Sequence, residues 1–152
     1  LYLLALVVWL GETVFLSFVV APSIFRGFPP EEAGRVMGTI FPAYYRVGMV
    51  CGAVLVAAAV YLWRTGVASG ARWGLAAALG IVMLVCILYA GVAVQPRVRE
   101  LREVRHRPDA PANVESEFQR LHGLSVQLNS VVLAGGAALS VLAAMAMRRA
   151  ER

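Results

Sequence analysis

Four apolar runs, each long enough to cross a lipid bilayer, dominate this chain: Tyr2–Phe25, Tyr44–Trp63, Trp73–Gln95 and Leu121–Met147. A spanning helix needs about 20 mostly apolar residues to cover about 30 Å of hydrocarbon. Backbone groups in hydrocarbon find no water, so a lone run of this kind must satisfy its own hydrogen bonds as a helix. The overall balance points the same way, with 60% hydrophobic and 15% charged residues against about 45–50% and about 25% in ordinary soluble domains. This argues against a soluble cytosolic enzyme. At 152 residues the chain is too short for two membrane bundles. The expected fold class is all-α, an integral membrane four-helix bundle forming one domain over 1–152, with helices at about 2–25, 44–63, 73–95 and 121–147.

The connections have different characters. Residues Arg64 to Arg72, rich in Gly and Ser, predict a short turn and an up-down hairpin. Arg26 to Ala43 contains Pro29-Pro30 followed by Glu31-Glu32, which predicts a short interfacial helix with proline in its first turn and acids at its positive end. Pro96 to Arg120 is the most polar stretch. Pro108 and Pro111 divide it into a helical extension and a second approach to the membrane. The first residue is Leu1 rather than Met, which implies a preceding piece, and no basic signal-peptide n-region is seen.

All 14 basic residues are arginine. They cluster at the ends of apolar runs without interleaved aromatics, so the sequence pI of 9.9 reflects membrane anchoring rather than nucleic-acid binding. The two long connections carry Arg26, Arg35, Arg97, Arg99, Arg102, Arg105, Arg107 and Arg120, whereas the other side carries Arg64, Arg72, Arg148, Arg149 and Arg152. This excess predicts a cytoplasmic location for the long connections, in the bacterial cytoplasmic (inner) membrane.

Polar residues inside the runs are the candidates for function. Glu12 lies about halfway along the first run, where a carboxyl is expensive and faces the bundle interior or a water-filled cavity. It reads either as a proton, cation or counter-ion site or as a protonated or paired structural group. His122, Ser125 and Asn129 share one helix face, continued by Gly136, Ser140 and Ala144. That stripe serves either a ligand or proton site or plain interhelical packing. Gln95-Pro96-Arg97 and Arg46, after Tyr44-Tyr45, converge on the same membrane surface. The alternative for both arginines is snorkelling to headgroups.

Met49 with Cys51 and Met83 with Cys86 offer soft donors of the kind copper(I) prefers, although all four are equally ordinary apolar fillers. Two cysteines within apolar runs do not make a disulfide framework. A bis-histidine haem would need His106, which lies in the polar connection. Nucleotide-binding glycine loops, hydrolase elbows and zinc-protease motifs are absent from the sequence, and no catalytic constellation emerges.

The segments Phe25-Arg26-Gly27-Phe28-Pro29, Ile40-Phe41-Pro42-Ala43-Tyr44-Tyr45, Gln95-Pro96-Arg97 and Phe118 to Ser125, followed by Asn129, resemble the transmembrane-protein-205-like family. The resemblance spans nearly the whole chain. It implies a small four-helix membrane protein of unknown function, with export or stress-resistance roles proposed for eukaryotic members. Its motif residues would fall on Trp9, Gly11, Arg26, Pro29, Phe41, Pro42, Tyr44, Tyr45, Pro96, Arg97, His122, Gly123 and Asn129. The Trp9–Gly11 start also resembles copper-resistance and protoporphyrinogen-oxidase-type membrane families, but Glu12 stands where those carry histidine in the first helix.

The functional expectation is transport, efflux or solute handling through Glu12, Arg26, Arg46, Arg97, His122 and Asn129. The alternative is a structural or accessory subunit of a homo-oligomer or larger membrane complex, and the third reading is a haem or copper protein. The lipid bilayer is the one partner that composition itself implies.

Overall fold

The structure is a computed structural model and describes residues 1–66, 70–105, 107 and 109–150. The chain begins with α1 (Tyr2–Phe15), a π-helical turn (Leu16–Val20) and α2 (Ala21–Gly27), which run on as one rod. Then follow α3 (Pro30–Thr65), α4 (Gly70–Tyr89), a second π turn (Ala90–Val94) continuing into α5 (Gln95–Val104), and α6 (Val114–Ala150). Among the described residues there is no strand. Four segments, Tyr2–Gly27, Pro30–Thr65, Ala71–Val104 and Val114–Met145, are long and apolar enough to cross a membrane, with mean hydropathy between 1.8 and 2.6 in their most apolar windows. The molecule is an integral membrane helical bundle.

Neighbouring rods pack in a closed ring, α1 on α3, α3 on α4, α4 on α6 and α6 on α1. In lipid there is little hydrophobic drive between helices, so close approach at small residues matters most. Each interface has such a point. The Trp9 indole of α1 lies against Gly48 and Gly52 of α3. Leu55 of α3 meets Gly80 of α4, Met83 of α4 meets Gly135, and Leu10 of α1 meets Gly136. Trp9, Leu55, Met83 and Leu139 are fully buried there. At the far end Tyr2 meets Trp73 edge-on at 5.1 Å between ring centroids.

The helices are longer than a crossing requires. With 36 residues, α3 is about 54 Å long at 1.5 Å per residue, against about 30 Å of hydrocarbon. The first turn of α3, on the side of the long connections, carries Glu31 and Glu32. The segment expected to form a separate interfacial helix is helical and starts at Pro30 with Glu31 and Glu32 in its first turn, but it continues into the second crossing without a break. Ala33, Met37, Tyr44, Gly48, Gly52, Leu55 and Ala59 form one buried stripe at helical spacing, and it passes Pro42 on the same face. Both halves thus pack on the same neighbours, which outweighs the single hydrogen bond that Pro42 cannot donate. The third connection is helical at both ends, in α5 and the start of α6. There Val94, Val98, Leu101, Val114 and Phe118 make a second small core. Arg97–Glu117 at 2.9 Å and Arg105–Glu115 at 3.4 Å tie α5 to α6.

α3 closes on Gly66, whose φ of 65° is the left-handed helix cap that glycine adopts without strain. The middle of the turn expected between Arg64 and Arg72 (67–69) lies outside the described residues, as do His106, Pro108 and Arg152.

Candidate functional site

Both π turns stand just ahead of a proline. Pro22 and Pro96 lack the N–H that would bond Phe18 and Val92 four residues back, and their rings crowd those carbonyls. Widening the preceding turn to Leu16–Val20 and to Ala90–Val94 relieves that crowding without breaking the rod. Ser17, in the first π turn, faces inward four residues after Thr13. The second brings Gln95, the first residue of α5, to the same level.

Around these turns lies a cavity of about 320 Å³, bounded by the first rod, α3, α5 and α6. Its polar floor is a three-residue relay: Tyr44 donates its hydroxyl hydrogen to Asn129 Oδ1, and Asn129 Nδ2 donates to Ser17 Oγ at 3.0 Å. Both ends of the carboxamide are therefore engaged, on two different helices. Thr13, fully buried, donates to the Trp9 carbonyl at 2.9 Å, and its Oγ1 lies 3.5 Å from the Tyr44 hydroxyl. Leu16, Phe18, Phe25, Phe41 and Leu133 supply apolar walls, while Gln95, Arg102 and His122 stand at the charged end. Ligand pockets commonly hold about 300–1,000 Å³ and combine apolar walls with a few convergent polar groups.

The residues singled out in the sequence fall in different places. Asn129 is half-buried on the cavity floor. His122 also lines the cavity but is exposed, stacked on Phe118 with ring planes 3° apart. Ser125 lines it too, donating to the Leu121 carbonyl at 3.1 Å, whereas Ala144 at the far end of the same stripe is exposed. Arg46 is exposed, bonds the Pro42 carbonyl through Nε at 3.0 Å, and lines a neighbouring groove instead. Arg97 is exposed and held by Glu117 and Glu100 at 2.9 and 3.1 Å, outside both spaces. Arg26 is exposed in the last turn of α2 and lines neither.

Glu12 sits one residue before Thr13, half-buried, with Oε1 enclosed and without a hydrogen-bond partner. Trp9 Nε1 is likewise enclosed and unpartnered. A donor without an acceptor and an acceptor without a donor thus face Gly48, where a Cβ would come within 3.1 Å of the nitrogen and 3.3 Å of the oxygen. Buried orphan polar atoms are uncommon and costly, which marks this spot.

Two participants were not evident from sequence. Ser17 reads as one hydroxyl in an apolar run, and only its place ahead of Pro22 hints at a distorted turn. Arg102 reads as one of several arginines in a polar connection. It is half-buried across Gly34 and Gly38 of α3, with one terminal nitrogen donating to the Gly34 carbonyl. Cys51 and Cys86 are free and half-buried, and among the described residues no three of His, Cys, Asp and Glu gather as metal ligands.

Residues 4–107 match a family described as a domain of unknown function, DUF4149. The chain is also 30% identical over 125 residues to an uncharacterized protein of Aquifex aeolicus (strain VF5), covering 82% of this chain and 80% of the relative. No solved structure matches.

Proposed function

The chain belongs to the DUF4149 family, a domain of unknown function, and we propose that it is a small membrane protein that binds and handles an amphipathic solute within its bundle. The cavity of about 320 Å³ with the Tyr44–Asn129–Ser17 floor carries this reading. Its aromatic walls suit a compact apolar body. The hydroxyls of the floor and Arg102 at the other end suit one or two hydrogen-bonding or anionic groups. His122 and Asn129 belong to this site, and Glu12 adjoins it through the next residue, Thr13, whose hydroxyl lies 3.5 Å from that of Tyr44.

Transport or efflux is the activity that best uses such a cavity. Four helices are few for a full alternating-access path, so a second copy or another membrane subunit would complete it. The likeness to the transmembrane-protein-205-like family, with its proposed export roles, leads in the same direction. We assign the protein to the bacterial cytoplasmic membrane with the long connections cytoplasmic, on the arginine distribution.

A second reading, a packing or accessory subunit, is favoured by one observation: Asn129 has both ends of its carboxamide satisfied inside the chain. The test is a growth panel of amphipathic toxic compounds on cells with and without the protein, repeated with Tyr44→Phe and Asn129→Leu at matched membrane levels. Solute handling requires that protection or sensitisation to some compounds be lost in both variants. Variants that change only stability or assembly would favour the packing reading and defeat the first.

A further inference from the structure

A groove of about 560 Å³ lies beyond Phe41, Tyr45, Gln95 and Arg102, which it shares as a wall with the solute cavity. It follows α3 from Met49 to Gly38, about 16 Å at 1.5 Å per residue, and the opposite rod from Gly91 to Glu103. Its inner part is apolar, formed by Phe41, Tyr45 and Met49 over the close contact at Gly91, where a Cβ would stand 3.0 Å from the Tyr45 ring. Its outer part carries Arg46, Arg99 and Arg102 with Glu100 and Glu103.

The charges do not cancel. Glu100 pairs with Arg97 at 3.1 Å, outside the groove, and Arg99 shares Glu103 at 3.7 Å. Among the described residues neither Arg46 nor Arg102 has a carboxylate within ion-pair distance. The hydrogen bonds they make go to the carbonyls of Pro42 and Gly34. A guanidinium has five N–H donors, so each retains most of its capacity, and Arg102 does so while half-buried. A half-buried cation without a counter-charge is costly, and an anion seated between the two would relieve it.

We propose that this groove binds one anionic phospholipid, with the phosphodiester between Arg46, Arg99 and Arg102 and an acyl chain along Phe41, Tyr45 and Met49. A free phosphate would satisfy the same arginines, but the apolar half of the groove would then have no occupant. Basic pockets between membrane helices on a polar face have the charge to hold such headgroups. The inference does not depend on the solute cavity having a ligand.

The test uses the full chain purified in neutral detergent. Retention of phosphatidylglycerol is measured by native mass spectrometry, against phosphatidylcholine of the same acyl chains and glycerol 3-phosphate as the free anion. Phosphatidylglycerol is expected to be retained as a single preferred adduct that glycerol 3-phosphate does not displace. Arg46→Gln should weaken it about fivefold, from the usual strength of one arginine at an anionic surface. Arg64→Gln, at the opposite end of α3, should change nothing. Arg102→Gln also removes the bond to Gly34, so Arg46→Gln with Arg99→Gln serves as the second variant, with a loss of about 25-fold. Equal retention of the two lipids, full displacement by glycerol 3-phosphate, or undiminished binding in the double variant would overturn the proposal.

Discussion

Tyr44 donates its phenolic hydrogen to Asn129 Oδ1, joining α3 to α6 beneath a cavity that both helices line. The tie acts between positions 85 apart in the chain, and Ser17 extends it to the first rod. Three of the four rods are thus fixed at one level by one carboxamide.

That relay has a measurable strength. Tyr44→Phe removes one donor and should cost about 0.6–2 kcal/mol, the range for interhelical hydrogen bonds in membranes. Asn129→Ala should cost more, since it removes the partner of Ser17 and leaves Tyr44 only the 3.5 Å contact with Thr13. In a double-mutant cycle read by unfolding in detergent, the pair should be less than additive. Strict additivity would mean that the two side chains do not interact.

The glycines facing Trp9 should tolerate no side chain. A Cβ on Gly52 would come 2.9 Å from Leu84 Cδ1 and 3.0 Å from the Trp9 ring, so Gly52→Ala should destabilise by about 1–3 kcal/mol. Gly11, on the same α1 helix as Trp9, has nothing within 4 Å of the corresponding point. Gly11→Ala should be neutral or stabilising by about 0.5–1 kcal/mol. Measured side by side, the unfolding midpoint should fall for Gly52→Ala and hold or rise for Gly11→Ala.

Glu12 should separate stability from function. Its Oε1 is enclosed without a partner, so Glu12→Met, which keeps the length of the side chain, should fold at least as stably as the parent, by up to about 1–3 kcal/mol. If Glu12 handles protons or cations, Glu12→Gln keeps the shape, folds, and loses the growth phenotype. Reduced stability of Glu12→Met would show that the carboxyl has a stabilising partner. Unchanged growth in Glu12→Gln would remove Glu12 from the mechanism.

The topology is directly testable. Reporter domains fused after Arg72 and after Arg107 should report opposite sides of the membrane, since one rod, Ala71–Val104, separates them. The same side for both would contradict four crossings.

The crossings were legible because runs of about 20 apolar residues have only one spanning solution in lipid. Asn129 and His122 were legible as a pair because the helical period puts them on one face. The continuity of α3 was not, since Pro42 is locally a helix breaker and only the long buried stripe on both sides of it carries the helix through. Arg97 looked like a site residue from its Gln-Pro-Arg setting, but its charge is taken up by Glu117 and Glu100 across a connection whose pairing no local pattern reveals. Arg102 is its converse: nothing in the adjacent sequence marks it, and its importance comes from two small residues, Gly34 and Gly38, on another helix.

The π turn at Leu16–Val20 also sets a matter of phase. In an α-helix each residue advances about 100° around the axis, so one surplus residue in a widened turn lets everything after it keep a bearing that a regular helix would have lost. Trp9, Thr13 and Ser17 share one face at steps of four residues, and Ala21 and Phe25 beyond the turn still line the same cavity because the widened turn offsets the drift that such steps accumulate in a regular helix. Removing one residue from that turn would leave the first rod almost as long and as apolar as before, yet the half of the rod beyond the deletion would be turned by about 100° relative to the half before it. A helix can therefore keep every property by which a membrane selects it and still lose the alignment of the side chains that line its cavity.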